Sequence, residues 1–135
     1  MSNIEMLLSI MAQLRDPETG CPWDIKQDFD SIAPYTIEEA FEVAEAIALR
    51  DYPELKEELG DLLLQVVFHS QMAQEQGLFD FNEVVQVLCD KMVRRHPHVF
   101  AGTQADDEQA GKANWEQIKQ QERNRKGREH NSTID

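Results

Sequence analysis

Glu39 and Glu42 lie three residues apart, and so do Glu58 and Asp61. On a helix that spacing puts both members of a pair on one face. Glu38 and Glu45 flank the first pair, and Gln65 continues the face begun by Glu58 and Asp61. The second set sits in a demanding context. The run Leu59-Gly-Asp-Leu-Leu-Leu-Gln-Val-Val-Phe68 is apolar on nearly every side, as a helix is at a bundle centre or in a subunit interface. Carboxylates on such a helix must take up protons or find cations. If the helices around 36–50 and 53–76 pack antiparallel across their short connection, the two pairs come face to face. Four carboxylate ligands suit a hard divalent ion, Mg²⁺ or Mn²⁺. No Glu-x-x-His accompanies them, which argues against a di-iron site. The same glutamates also fit a solvated acidic face near a helix start, with Glu39 serving a capping box with Thr36.

A second constellation is basic. Lys91 and Arg95 are spaced i, i+4, and so are Trp115 and Lys119. Two cation pairs and an indole suit a polyphosphate and a base. Surface cations near a helix end and a core tryptophan have the same spacing. Gly111-Lys112-Ala113 is no P-loop, because no glycine stands at 106 and Ala113 replaces the required Ser or Thr. His96 and His98 flank Pro97 and read as turn-shaping rather than metal-binding. Cys89, on an apolar helical run, reads as a core residue.

The elements that must position these groups are all helical. Apolar spacing gives a helix over 4–14, capped by Ser2 or Asn3 and ended by Asp16-Pro17 and Gly20. An ordered loop, Gly20-Cys-Pro-Trp-Asp24, precedes a short polar helix near 25–30. The next helix runs from Thr36 to about Arg50. Pro53 opens a helix that Gly77 closes at about 76. Asp80 with Glu83 starts another over 81–95, ended by Pro97, and 96–102 forms a turn. A last helix spans roughly 105–125 around Trp115 and Ile118, followed by polar, frayed sequence. The organisation is one domain, 1–125, with a disordered tail, 126–135. No strand alternation occurs, so the fold class is an all-α bundle.

Composition excludes several functions. The chain has 135 residues, with 26 acidic and 13 basic side chains and a net charge of −13. Such a chain is a poor partner for nucleic acid or an anionic membrane. Cys21 and Cys89 form no zinc or disulfide pattern and read as free thiols of a reducing cytoplasm. The opening residues do not read as a signal peptide, and the sequence holds no 18-residue apolar run, so neither secretion nor membrane insertion is expected.

Glu38-Glu39-Ala-Phe-Glu42 followed by Glu58-Leu-Gly-Asp61 resembles the EExxE…ExxD signature of the MazG-type nucleoside triphosphate pyrophosphohydrolases. Gly20–Asp24, Ala33–Thr36, Glu58–Leu63, Arg94–Phe100 and Trp115–Lys119 resemble further stretches of those proteins, so the likeness covers about residues 4–125. It implies an all-α bundle completed by homodimerisation. The implied activity is Mg²⁺-dependent hydrolysis of a (deoxy)nucleoside triphosphate to monophosphate and pyrophosphate, a house-cleaning of nucleotide pools. By motif position the metal ligands fall on Glu39, Glu42, Glu58 and Asp61. Glu38 stands behind them or helps activate water. Lys91, Arg95 and Lys119 fall on the triphosphate-holding positions, and Trp115 on the stacking position. Such proteins often carry two of these domains in tandem, and the opening segments resemble the first. The competing reading is a non-catalytic helical module that dimerises and binds nucleotide or a protein partner.

Overall fold

A computed structural model of the chain describes residues 1–101 and 108–130, and within the last helix the side chains of 112 and 115–126. The described residues form helices and no strand: α1 (Asn3–Leu14), α2 (Pro22–Ile25), α3 (Phe29–Ala48), α4 (Tyr52–Glu75), α5 (Phe81–Arg95), α6 (Pro97–Phe100) and α7 (Glu108–His130). They fall into two compact units, Met1–Val84 and Val85 onward.

The first unit is built on α4. Its core is Met11, Ile32, Val67, Phe68 and Met72, with Leu7, Leu8, Leu14, Phe29, Leu64 and Phe81 packed against them. The apolar core therefore lies in the second half of α4. In the first half, Leu59, Leu63 and Val66 are exposed, as are Ile37 and Phe41 of α3. The chain by itself thus does not bury every side of this helix, so the first half of α4 does not lie at a bundle centre within one chain.

Helix α3 begins seven residues before the expected start at Thr36. Ser31 N–H donates to Asp28 Oδ1 at 2.7 Å, and Asp28 N–H donates to Ser31 Oγ at 2.9 Å. This reciprocal box caps the helix at Phe29 and carries it through Pro34. Proline disfavours a helix interior, which is why the sequence points to a later start. Thr36 is then no cap; its hydroxyl faces α4. The expected helix near 25–30 is instead α2, with Pro22 in its first turn and its end at Ile25.

Arg15 fixes the loop between α1 and α3. Its guanidinium donates to Asp24 O at 2.7 Å, Ile25 O at 3.3 Å and Gln27 O at 2.9 Å. It also pairs with Glu75 at 2.6 Å, which holds the Glu75 carboxyl below its usual range. A Cβ at Gly20 would come within 2.3 Å of Leu14 O, so only glycine fits where the loop folds back on α1.

Arg50, at φ +56°, turns the chain from α3 into α4, which Asp51 caps through Glu54 N–H at 3.2 Å. Thr36 meets Gln65 and His69, while Glu39 meets Glu58 and Asp61. Residue numbers thus run in opposite directions across the pair, the expected antiparallel packing. Helix α4 ends at Glu75, and Gly77 follows with φ +71°. Glu83 N–H donates to Asp80 Oδ1 at 2.9 Å, capping α5 as the sequence indicates.

In the second unit α5 is tied to α7 through Glu122. The expected turn at 96–102 contains a short helix, α6, with Pro97 in its first turn. Helix α7 continues to His130, past the expected end near 125. The expected start at Ala105 and residues 131–135 of the expected tail lie outside the described residues. Both cysteines are free. Cys89 is exposed rather than in a core, because this stretch of α5 turns it outward.

Candidate functional site

Two facing helices bring three carboxylates together. One oxygen from each of Glu39, Glu58 and Asp61 lies within 4.8 Å of the others. Glu58 is buried, Glu39 half-buried and Asp61 exposed, so the buried face expected to hold both Glu58 and Asp61 holds only the former. Glu42, half-buried one turn beyond Glu39, stands against Glu58. Glu38 and Glu45 are exposed.

The electrostatics follow from this crowding. Burial pushes the Glu58 carboxyl up, a hydrogen bond to Glu42 favours its protonated form, and the charges of Glu42, Glu39 and Glu54 add to the effect, leaving it at about 7. Glu39 is raised by burial and by the charges of Glu42 and Asp61. Its Oε2 is buried with no hydrogen-bond partner among the described residues. An orphaned buried carboxylate oxygen, amid oxygen donors repelling one another, fits a hard divalent cation.

A pH dependence of stability follows. In the unfolded chain a glutamate titrates near 4.5, but Glu58 in the fold titrates at about 7. Its contribution is fully present below pH 4.5 and is lost as pH rises through about 7. In the presence of a chelator, Tm should therefore fall across that window in the wild type relative to Glu58→Gln. His69, held below its usual value by burial, works in the opposite sense, and the comparison between the two proteins cancels it. Parallel Tm curves would refute the repulsion.

Beside the carboxylates is a cavity of about 170 Å³, reached by Glu38, Glu39 and Gln65 and walled by Met11, Leu64 and Phe68. Trp23 and Tyr35 line it too, edge to face with centroids 6.0 Å apart. Gln65, only 8% exposed, is held by Thr36, whose hydroxyl is 3.2 Å from Gln65 Oε1 and 3.1 Å from His69 Nε2. The ring of His69 stacks on Phe29 at 5.9 Å.

The basic residues belong to the second unit. Lys119 Nζ lies 5.8 Å from the Trp115 ring centre, and His96 meets the same ring at 5.1 Å. Arg95 is not a free cation. It binds Glu122 at 2.7 and 3.2 Å, and Arg94 binds the other oxygen at 2.6 Å. Burial raises the Glu122 carboxyl, but the two guanidinium groups override it and hold it at about 2. Lys91, half-buried, has no ion pair among the described residues. Sequence reasoning missed Glu122, which lies 27 residues from Arg95 with no local pattern to mark it. It also missed Trp23, Tyr35 and His69, whose proximity to the site arises only in the fold.

The described residues thus define an all-helical protein in which two antiparallel helices bring carboxylates face to face, with a cavity lined in part by aromatic rings alongside. The particular family is given by comparison: residues 27–100 match the MazG nucleotide pyrophosphohydrolase domain, and the chain belongs to that family. It is 55% identical over all of its 135 residues to the nucleoside triphosphate pyrophosphohydrolase of Escherichia coli K12, of which it covers 51%. It is 50% identical over 122 residues to the nucleoside triphosphate pyrophosphohydrolase/pyrophosphatase MazG of Thermotoga maritima, covering 90% of this chain and 46% of that one. The chain thus spans about half the length of the curated relatives it matches. The crystal structure of a mazG-related protein from Thermotoga maritima superposes with a TM-score of 0.69 at 28% identity, covering 86% of this chain and 98% of that one. Among the described residues no helix is long and apolar enough to cross a membrane.

Proposed function

We propose that this chain hydrolyses nucleoside triphosphates to the monophosphate and pyrophosphate, with a divalent cation, Mg²⁺ or Mn²⁺, held by Glu39, Glu42, Glu58 and Asp61. The observation that carries the reading is the convergence of Glu39, Glu58 and Asp61 within 4.8 Å. The names of relatives matched over 100% and 90% of this chain support it. When bound, the cation supplies Lewis acidity and charge neutralisation at the phosphates. The chain's own groups do the rest. Glu38, on the exposed rim of the cavity, orients the attacking water. Lys91, Arg95 and Lys119 hold the β- and γ-phosphates, whose charge they offset as pyrophosphate leaves. Arg95 is steadied for this by Glu122, and Lys119 by the face of Trp115.

The test is pyrophosphate release from each NTP and dNTP, with and without Mg²⁺. Cation-dependent release is expected, and none with any nucleotide would refute the reading.

Assembly is part of the proposal. Ile37, Phe41, Leu59, Leu63 and Val66 form apolar surface on α3 and α4 that the chain leaves exposed, more than isolated exposed side chains require. A second copy of the chain is its proposed cover. Light scattering should give a mass twice the 15.6 kDa of the chain, and a stable monomer would contradict it.

A further inference from the structure

The cavity beside the carboxylates contains a buried side chain whose hydrogen-bonding direction is set from behind. Thr36 has one hydroxyl proton and three neighbours: Ile32 O at 3.4 Å, Gln65 Oε1 at 3.2 Å and His69 Nε2 at 3.1 Å. With that proton given to Gln65 Oε1, at the shorter of the two acceptor distances, and the Nε2–H tautomer of His69 donating to the Thr36 oxygen, Gln65 and His69 are both satisfied, and the longer contact to Ile32 O carries no proton. The stack of His69 on Phe29 holds its ring in place. Gln65 Oε1 is thereby turned toward Thr36. The amide nitrogen has no hydrogen bond among the described residues, and Gln65 lines the cavity. Around the same cavity the other polar side chains are the carboxylates of Asp24, Glu38 and Glu39, the hydroxyl of Tyr35 and the indole of Trp23. The lining therefore presents a fixed amide donor alongside carboxylate acceptors. Its volume of about 170 Å³ and the Trp23–Tyr35 pair suit a flat heteroaromatic ring.

We propose that Gln65, oriented by Thr36 and His69, reads the edge of the substrate's base in this cavity and selects bases that present a carbonyl beside a ring N–H. Guanine, hypoxanthine and uracil have that edge: the carbonyl accepts from the Gln65 amide, and the ring N–H donates to the carboxylate of Asp24. Adenine and cytosine offer an amino group where the carbonyl should be and no ring N–H beside it. A donor then faces a donor, and a buried amide is left unpaired. This rests on the nucleotide reading above, deepens it to a class of base, and assigns the base edge to the first unit.

Nucleosides test it apart from hydrolysis, because they carry no phosphate to cleave. Trp23 and Trp115 are the only tryptophans. Trp115→Phe therefore leaves Trp23 as the fluorescent reporter of the cavity, and Trp23→Phe leaves Trp115. In the Trp115→Phe chain, inosine should bind more tightly than adenosine, and uridine more tightly than cytidine, by about tenfold for one well-placed hydrogen bond. Thr36→Val, which removes the orienting hydroxyl, should bring both ratios close to one. Thr36→Ser should keep them. Gln65→Leu should weaken inosine and uridine while sparing adenosine and cytidine. Circular dichroism of each variant checks the fold, and the Ser variant carries the test if Val disturbs it. Equal binding of the paired nucleosides, ratios indifferent to Thr36→Val and Gln65→Leu, no response from Trp23, or a response from Trp115 alone would each overturn the inference. Retained discrimination without pyrophosphate release would instead overturn only the catalytic reading.

Discussion

Glu58→Gln and Asp61→Asn are each expected to abolish cation-dependent pyrophosphate release, by more than about the hundredfold that accompanies loss of a group merely supporting a metal ligand. Helix content should survive in both. In Glu58→Gln the change removes a carboxyl that the fold already holds at about 7, so the protein without cation loses a source of repulsion rather than a stabilising contact. Asp61 is exposed, and its amide costs no burial. Activity and stability are thus predicted to move apart: turnover disappears while Tm in chelator stays or rises. Added Mg²⁺ should raise Tm in the wild type, since it binds only the folded arrangement, and should raise it far less in either variant. Turnover like that of the wild type in either variant would remove the carboxylate cluster from the chemistry.

Why the carboxylates were legible and their surroundings were not is a matter of range. Spacing of i, i+3 is a helix property, so the pairs Glu39/Glu42 and Glu58/Asp61 could be placed on faces from sequence, and a short connection made antiparallel packing the natural way to bring them together. The start of α3 was not legible, because Pro34 argues locally for a break. Only the Asp28–Ser31 box, itself a local signal upstream of that proline, shows the helix passing through it. That shift of seven residues changed the meaning of Thr36 from a cap to a group facing Gln65 and His69. The Arg15 contacts to Asp24, Ile25 and Gln27, and the bonds from Arg94 and Arg95 to Glu122, depend on the path of loops and on partners distant in sequence. The exposure of Leu59, Leu63 and Val66 shows a different limit. Apolar composition signals that a surface will be covered, not which chain covers it.

Lys91→Ala is expected to weaken binding of an NTP by about ten- to a hundredfold, one charge-assisted contact, while leaving binding of the corresponding NMP nearly unchanged. The split arises because only the triphosphate has β- and γ-groups for this cation to hold. Lys91 is the clean probe of the three. Arg95 is engaged by Glu122, a carboxyl held at about 2 whose favourable contribution is present above its ordinary value of 4.5 and lost as pH falls through about 2. Arg95→Ala would strip two of the three hydrogen bonds that hold Glu122 and lower stability at neutral pH along with any effect on the nucleotide. Lys119 depends on Trp115, so Lys119→Ala and Trp115→Ala should both show the NTP-over-NMP split, and Trp115→Phe, which keeps a ring face under the ammonium, should largely restore it. Calorimetric titration of these chains with an NTP and its NMP provides the measurement. Equal small losses for the two ligands would mean that these cations are ordinary surface charges and that the triphosphate is held elsewhere.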